Sequence, residues 1–307
     1  MSSLVGSPQD RLSLARAVDA LADAARRAGR PAPVWLVGVL YPGLNLNVDL
    51  VRTVLALVQE FSGLHIPGAG DVGPIVTLFA PNLQLVTPAG SSVASIGPVA
   101  ILFFLIVYRP VVGLARLSDP TRGSTARERS PTLRAVWREG KGQALVAFGL
   151  WAMLLALLLA AMLVLIGPVV ALMKMPGLGD VAPVFAGLLL PVLLLILAYA
   201  AVLMVLNQLA LHSLAHNQRG AASALTHAWR LVRADPMGAL RASIVDFVLF
   251  LTVIVVGRVA GVALPAVLQD LLALALYGFV GVARAGYWAR AYRALGGLSP
   301  ADGVPGL

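Results

Sequence analysis

Four ionisable residues stand inside long apolar runs near the carboxyl end of the chain: Asp246, Arg258, Asp270 and Arg284. A charge within bilayer hydrocarbon is costly, so residues that keep one there serve as mutually neutralising partners or as stations on an ion or proton path. Their spacing orders them by depth. If the chain turns near Leu264 and Pro265, then Arg258 and Asp270 flank the turn at similar distances, and Asp246 and Arg284 flank it again further along. The pattern predicts two ion pairs that pin one hairpin, because a buried charge without a partner is strongly destabilising. Asp49 and Arg52, at i, i+3 in an earlier apolar run, pair locally in the same sense. The competing reading makes Asp246 and Arg258 the lining of a pathway.

His212 and His216 are four residues apart on one helical face, a spacing that suits metal ligands. Neither has a carboxylate nearby to complete a site, and both fall at the inner end of an apolar run, where a polar helix end is expected. A structural role is therefore expected and no metal, with His227 a third ligand only if the following loop folds back. The "GAGDVG" of residues 68–73 satisfies a dinucleotide glycine pattern, but no strand precedes it and no βαβ unit surrounds it. No serine lies in a nucleophile elbow, and there is no cysteine to act as nucleophile, disulfide partner or thiolate ligand. No catalytic residue and no cofactor is expected.

The elements that must position these groups follow from composition. With 59% hydrophobic and 12% charged residues and a mean hydropathy of +0.87, the chain departs far from soluble domains, which carry about 25% charged residues. The fold class expected is all-α, a polytopic transmembrane helix bundle. A span needs about 20 mostly apolar residues, and six stretches qualify: 33–58, 93–115, 144–169, 183–210, 243–264 and 267–288. The first is interrupted by Pro42, Gly43, Asn45, Asn47, Asp49 and Arg52. Residues 59–92 form an outside loop, 1–32 a cytoplasmic amphipathic segment, 33–295 the bundle, and 296–307 a flexible tail.

Basic residues decide orientation. Twenty of the 23 fall in the amino-terminal segment, around 109–143, around 211–241 and in the carboxyl-terminal region, and none lies between Arg52 and Arg109. Positive residues mark the cytoplasmic face, so both termini are expected inside. The net charge of +9 thus points to anionic lipid headgroups on that face, and not to nucleic acid.

A repeated element stands on the same side. In "TLRAVWREGKGQALVAFG", residues 132–149, Leu133, Val136 and Trp137 form an apolar stripe beside Arg134, Arg138 and Lys141. In "ALTHAWRLVRADPMGALRAS", residues 224–243, Leu225, Ala228, Trp229 and Val232 do so beside Thr226, Arg230 and Arg233. Ser130-Pro131 supplies a start signal for the first. Both read as membrane-surface helices leading into hairpins, with a duplicated unit over 130–218 and 222–295; a plain cytoplasmic linker is the alternative. The stretch bearing Leu14, Val18, Leu21 and Ala25 is a third such helix. Trp288 and Tyr292, at the last inner boundary, fit an interfacial aromatic belt.

The arrangement of span, basic loop and Trp-Arg element over roughly 93–295 resembles bacterial multi-pass families of the glycerophosphodiester phosphodiesterase membrane-domain type. The resemblance implies a bacterial inner-membrane architecture and no activity, since the hydrolase of such fusions lies in a separate soluble part. The expected function is a scaffold, anchor or accessory subunit contacting lipids and protein partners in a membrane complex. The alternative is a transporter or lipid-handling protein.

Overall fold

A computed structural model describes residues 12–29, 33–41, 106, 108–118, 132–173, 182–263 and 266–298. The described residues are helical or lie in turns and links between helices. In chain order the helices are α1 (Leu14–Ala28), α2 (Trp35–Leu40), α3 (108–117), α4 (Leu133–Glu139), α5 (Ala144–Met173), α6 (Ala182–Asn217), α7 (Ala221–Ala234), α8 (Pro236–Ala263) and α9 (Ala266–Ala294).

Local chemistry starts several of them. Ser13 Oγ accepts the Arg16 N–H at 3.2 Å and opens α1, and Thr132 Oγ1 accepts the Ala135 N–H at 3.2 Å and opens α4. The cap of α4 is therefore Thr132, with Ser130-Pro131 outside the described residues. An Asp-Pro step opens α8: Asp235 Oδ1 accepts the Gly238 N–H at 2.8 Å, and Pro236 takes the first helical position. The second Trp-Arg element is thereby split between α7 and α8.

The chain forms two compact units. One comprises Gly43–Phe104 and Trp151–Met204, of which the helical stretches 151–173 and 182–204 are described. The other comprises Met1–Pro42, Leu105–Leu150 and Val205–Leu307. Among the described residues two helices are long and apolar enough to cross a membrane, over Ala144–Leu165 and Leu194–Asn217, and only 28% and 44% of these windows are buried. Apolar side chains left on the outside of such helices suit a lipid environment. The expected spans 33–58 and 93–115 and the loop 59–92 lie largely or wholly outside the described residues.

In the second unit α9 is the axis. From Val280 to Tyr292 every residue is buried except Val282 and Arg290, which are partly so. Neighbours approach from all sides because this stretch and the turn before it are rich in glycine and alanine. α2 crosses backbone to backbone: a Cβ at Gly38 would strike the carbonyl of Gly278, and one at Gly281 would strike that of Gly38. α1 lies over Gly286 through Ala24 and is held by arginines. Arg290 donates to the Ala20 carbonyl at 2.9 Å and pairs with Asp23, while Arg241 of α8 donates to the Leu12 carbonyl at 3.1 Å. Trp35 Nε1 donates to the Ala28 carbonyl at 3.0 Å and closes the link between α1 and α2. The amino-terminal segment thus packs into the same unit as the last two helices, across the boundary expected at residue 32.

Candidate functional site

One of the two expected ion pairs is present among the described residues. Arg284 of α9 engages Asp246 of α8 in a fork, Nε to Oδ1 at 2.5 Å and Nη2 to Oδ2. Arg284 is almost wholly enclosed. A bidentate guanidinium-carboxylate pair is the arrangement that best offsets removal of both charges from water. One turn later Tyr287 donates to the Ala242 carbonyl at 2.8 Å, a second polar tie between the same helices. The side chains of Arg258 and Asp270, and all of Asp49 and Arg52, lie outside the described residues.

Beside the pair runs a polar chain that only the fold assembles. Tyr41, which ends α2, is buried in the same unit as Arg284 and Asp246. Its hydroxyl donates to Gln208 Oε1 at 3.1 Å and meets His212 Nε2 at 3.1 Å. His212 Nδ1 lies 3.4 Å from His216 Nε2. Tyr292 stacks on both imidazoles, with centroids 6.2 and 6.1 Å away, and its hydroxyl accepts from Asn217 Nδ2 at 3.0 Å. The loop does fold back: His227 of α7 meets Tyr292 edge-on at 6.0 Å. Even so, no group of three or more His, Cys, Asp or Glu is placed to hold a metal ion among the described residues.

The Trp-Arg elements each turn one side inward and leave the tryptophan out. α4 buries Val136, and its Trp137 is 38% exposed; α7 buries Ala224, His227, Ala228 and Leu231, and its Trp229 is 45% exposed. Arg134, Arg138, Lys141, Arg230 and Arg233 are exposed beside them. Arg109 of α3 secures α4 by donating to the Trp137 carbonyl at 2.9 Å and lying 4.8 Å over the indole. Glycines at 113 and 140 let these two backbones touch. In α1 the fold-facing side is Ala17, Ala24 and Ala28, whereas Leu14 and Val18 remain exposed.

Trp288 and Tyr292 correct the sequence reading. They are 1% and 0% exposed, so they belong to the packed interior and not to an interfacial belt. The physical reason is the company of α9: α1, α2 and α8 pack on this helix, and His212, His216 and His227 of α6 and α7 close over Tyr292. Sequence reasoning also missed Tyr41 and Gln208, which are 167 residues apart; no local pattern announces so distant a pair. The arginines at 241 and 290 were visible only as basic residues near span ends.

Comparison of the chain with protein-family models, curated proteins and solved structures gives no match.

Proposed function

We propose that the protein is a non-enzymatic integral membrane protein that acts as a scaffold, anchor or accessory subunit of a membrane assembly. It has about six spans and both termini at the cytoplasmic face of a bacterial inner membrane. The observation that carries this reading is the closed Asp246–Arg284 fork. Both carboxylate oxygens engage the guanidinium, so the pair acts as an internal tie between α8 and α9. A transport path lined by Asp246 and Arg258 would need that carboxylate for a travelling ion or solute, and the fork weighs against it.

The exposed tryptophans of α4 and α7 support a lipid-facing role for the basic elements. Indole favours the headgroup level, and arginine stems cover acyl chains while their heads reach phosphates. The lipids favoured are anionic ones, on electrostatic grounds. The amino-terminal helix fits the same scheme, since Leu14 and Val18 point away from the fold. The likeness to the membrane region of phosphodiesterase fusions remains part of the proposal, as an architecture without the hydrolase.

The absence of cysteine makes the test direct. Single cysteines placed near Glu139 and Leu298 are offered an impermeant maleimide in intact and in lysed cells. Labelling only after lysis is the expected result, and labelling of intact cells at either position would overturn the orientation. Native mass spectrometry of the protein extracted with its lipids tests the assembly role, which fails if the chain always flies as a bare monomer. Uptake of solute or ions by proteoliposomes holding the pure protein would favour transport instead.

A further inference from the structure

The last two turns of α6 present two imidazoles whose facing nitrogens, Nδ1 of His212 and Nε2 of His216, are 3.4 Å apart. The tautomer of the inner ring follows from which Gln208 amide atom faces Tyr41. The Tyr41 hydroxyl donates its one proton to Gln208 Oε1, so toward His212 Nε2 it serves only as acceptor. With Gln208 Oε1 as the acceptor, His212 carries its proton on Nε2, and its Nδ1 is the acceptor facing His216 Nε2.

The two nitrogens are hydrogen-bonded to each other, and their separation also matches a metal's bite, with the ion taking the place of the shared proton. Nitrogens about 2.0–2.1 Å from a tetrahedral zinc ion stand about 3.3–3.4 Å from each other. We propose that His212 and His216 form a two-imidazole seat for a divalent late-transition-metal ion of the zinc type, with water filling the remaining positions. This inference does not rest on the scaffold reading.

Three features beyond the spacing support it. The hydrogen bond from His212 Nε2 to Tyr41, itself oriented by Gln208, is the outer-shell contact that metal-bound histidines ordinarily make and that raises their basicity. The rings are held in place beforehand, nearly parallel at 17° to one another and stacked on Tyr292. His216 lies in the final turn of α6, which ends at Asn217, where the helix carbonyls favour a cation. His212 is enclosed, but His216 is partly open and gives an entry route. A bound ion would staple consecutive turns at the end of a span, just before the basic helix α7.

The test uses the full chain in detergent, purified without a histidine tag, with Zn²⁺ as the probe followed by calorimetry and Mg²⁺ as the control. One Zn²⁺ per chain is expected. Binding should weaken at least tenfold in His216→Gln and in His212→Gln and stay unchanged in His227→Gln, whose ring touches Tyr292 but is not a ligand. Thermal unfolding without metal verifies that each variant is folded; if the enclosed His212→Gln is not, the partly exposed His216→Gln carries the result. Zinc binding no tighter than magnesium binding, or zinc binding that survives His216→Gln undiminished, would overturn the proposal.

Discussion

Gly38 and Gly281 meet with no side chain between them: the Gly38 carbonyl occupies the space where any other residue at 281 would carry its Cβ. This contact lets the short helix α2 lie directly on α9. A methyl group at either position must push two backbones apart. Gly281→Ala is expected to destabilise the protein by roughly 3 kcal/mol, at the upper end of overpacking costs. Gly296→Ala is no control, because φ there is +80°. Gly149→Ala is the better one, since a Cβ there meets only the Ala221 methyl at 3.7 Å, and its unfolding midpoint in detergent should stay near the parent's.

Removing one member of the Asp246–Arg284 fork strands the other in the interior. Asp246→Asn and Arg284→Gln are each expected to cost about 3–5 kcal/mol. The double variant Asp246→Asn with Arg284→Gln should be much milder than the sum, because it leaves no uncompensated charge. Denaturation of the two singles and the double measures the coupling. Strict additivity would mean that the fork contributes nothing beyond its separate residues.

Gln218, just after α6, holds a left-handed backbone at φ 53°, and its N–H closes the helix on the Leu214 carbonyl at 3.1 Å. Glycine is the usual residue at that position because it lacks the Cβ that makes the conformation costly. Gln218→Gly is expected to stabilise by roughly 0.5–1 kcal/mol, read as a rise in unfolding midpoint. A fall of similar size would show that the glutamine side chain makes a compensating contact.

Of the chain's five tryptophans, Trp229 and Trp288 should behave oppositely toward lipid. In single-tryptophan variants reconstituted into anionic vesicles, a headgroup-level spin label should quench Trp229 strongly and Trp288 hardly at all. Equal quenching of the two would contradict either the surface role of α7 or the enclosure of α9.

What the sequence made legible follows from how local each signal is. The starts of α5 at Ala144 and α6 at Ala182 fall within a residue of the expected span starts, because an apolar run announces itself without reference to its neighbours. The Asp246–Arg284 pair was also within reach, since a hairpin in a bilayer matches positions by depth about its turn. α9 escaped that logic. Its aromatic residues beside arginine at the end of an apolar run have the local look of a membrane boundary. Only α1, α2, α8 and the ends of α6 and α7, drawn from distant parts of the chain, convert them into an interior. The helices also run past the expected span ends, to Asn217 and to Ala294, because packing and not lipid sustains their final turns. The cap at Asp235 is written as an Asp-Pro step inside the second Trp-Arg element, a local start signal with no counterpart inside the first.

The embrace of α9 by α1 and α2 sets an order of events during synthesis. α1 and α2 leave the ribosome long before α9, the axis on which they pack. At ordinary elongation rates the first forty residues wait on the order of ten seconds or more for their partner. During that interval the carbonyls of Leu12 and Ala20 and the carboxylate of Asp23 have no arginine to meet, and the glycine face of α2 has nothing to lie on. A chain cut short anywhere before Gly278 would carry α1 and α2 with no seat for either.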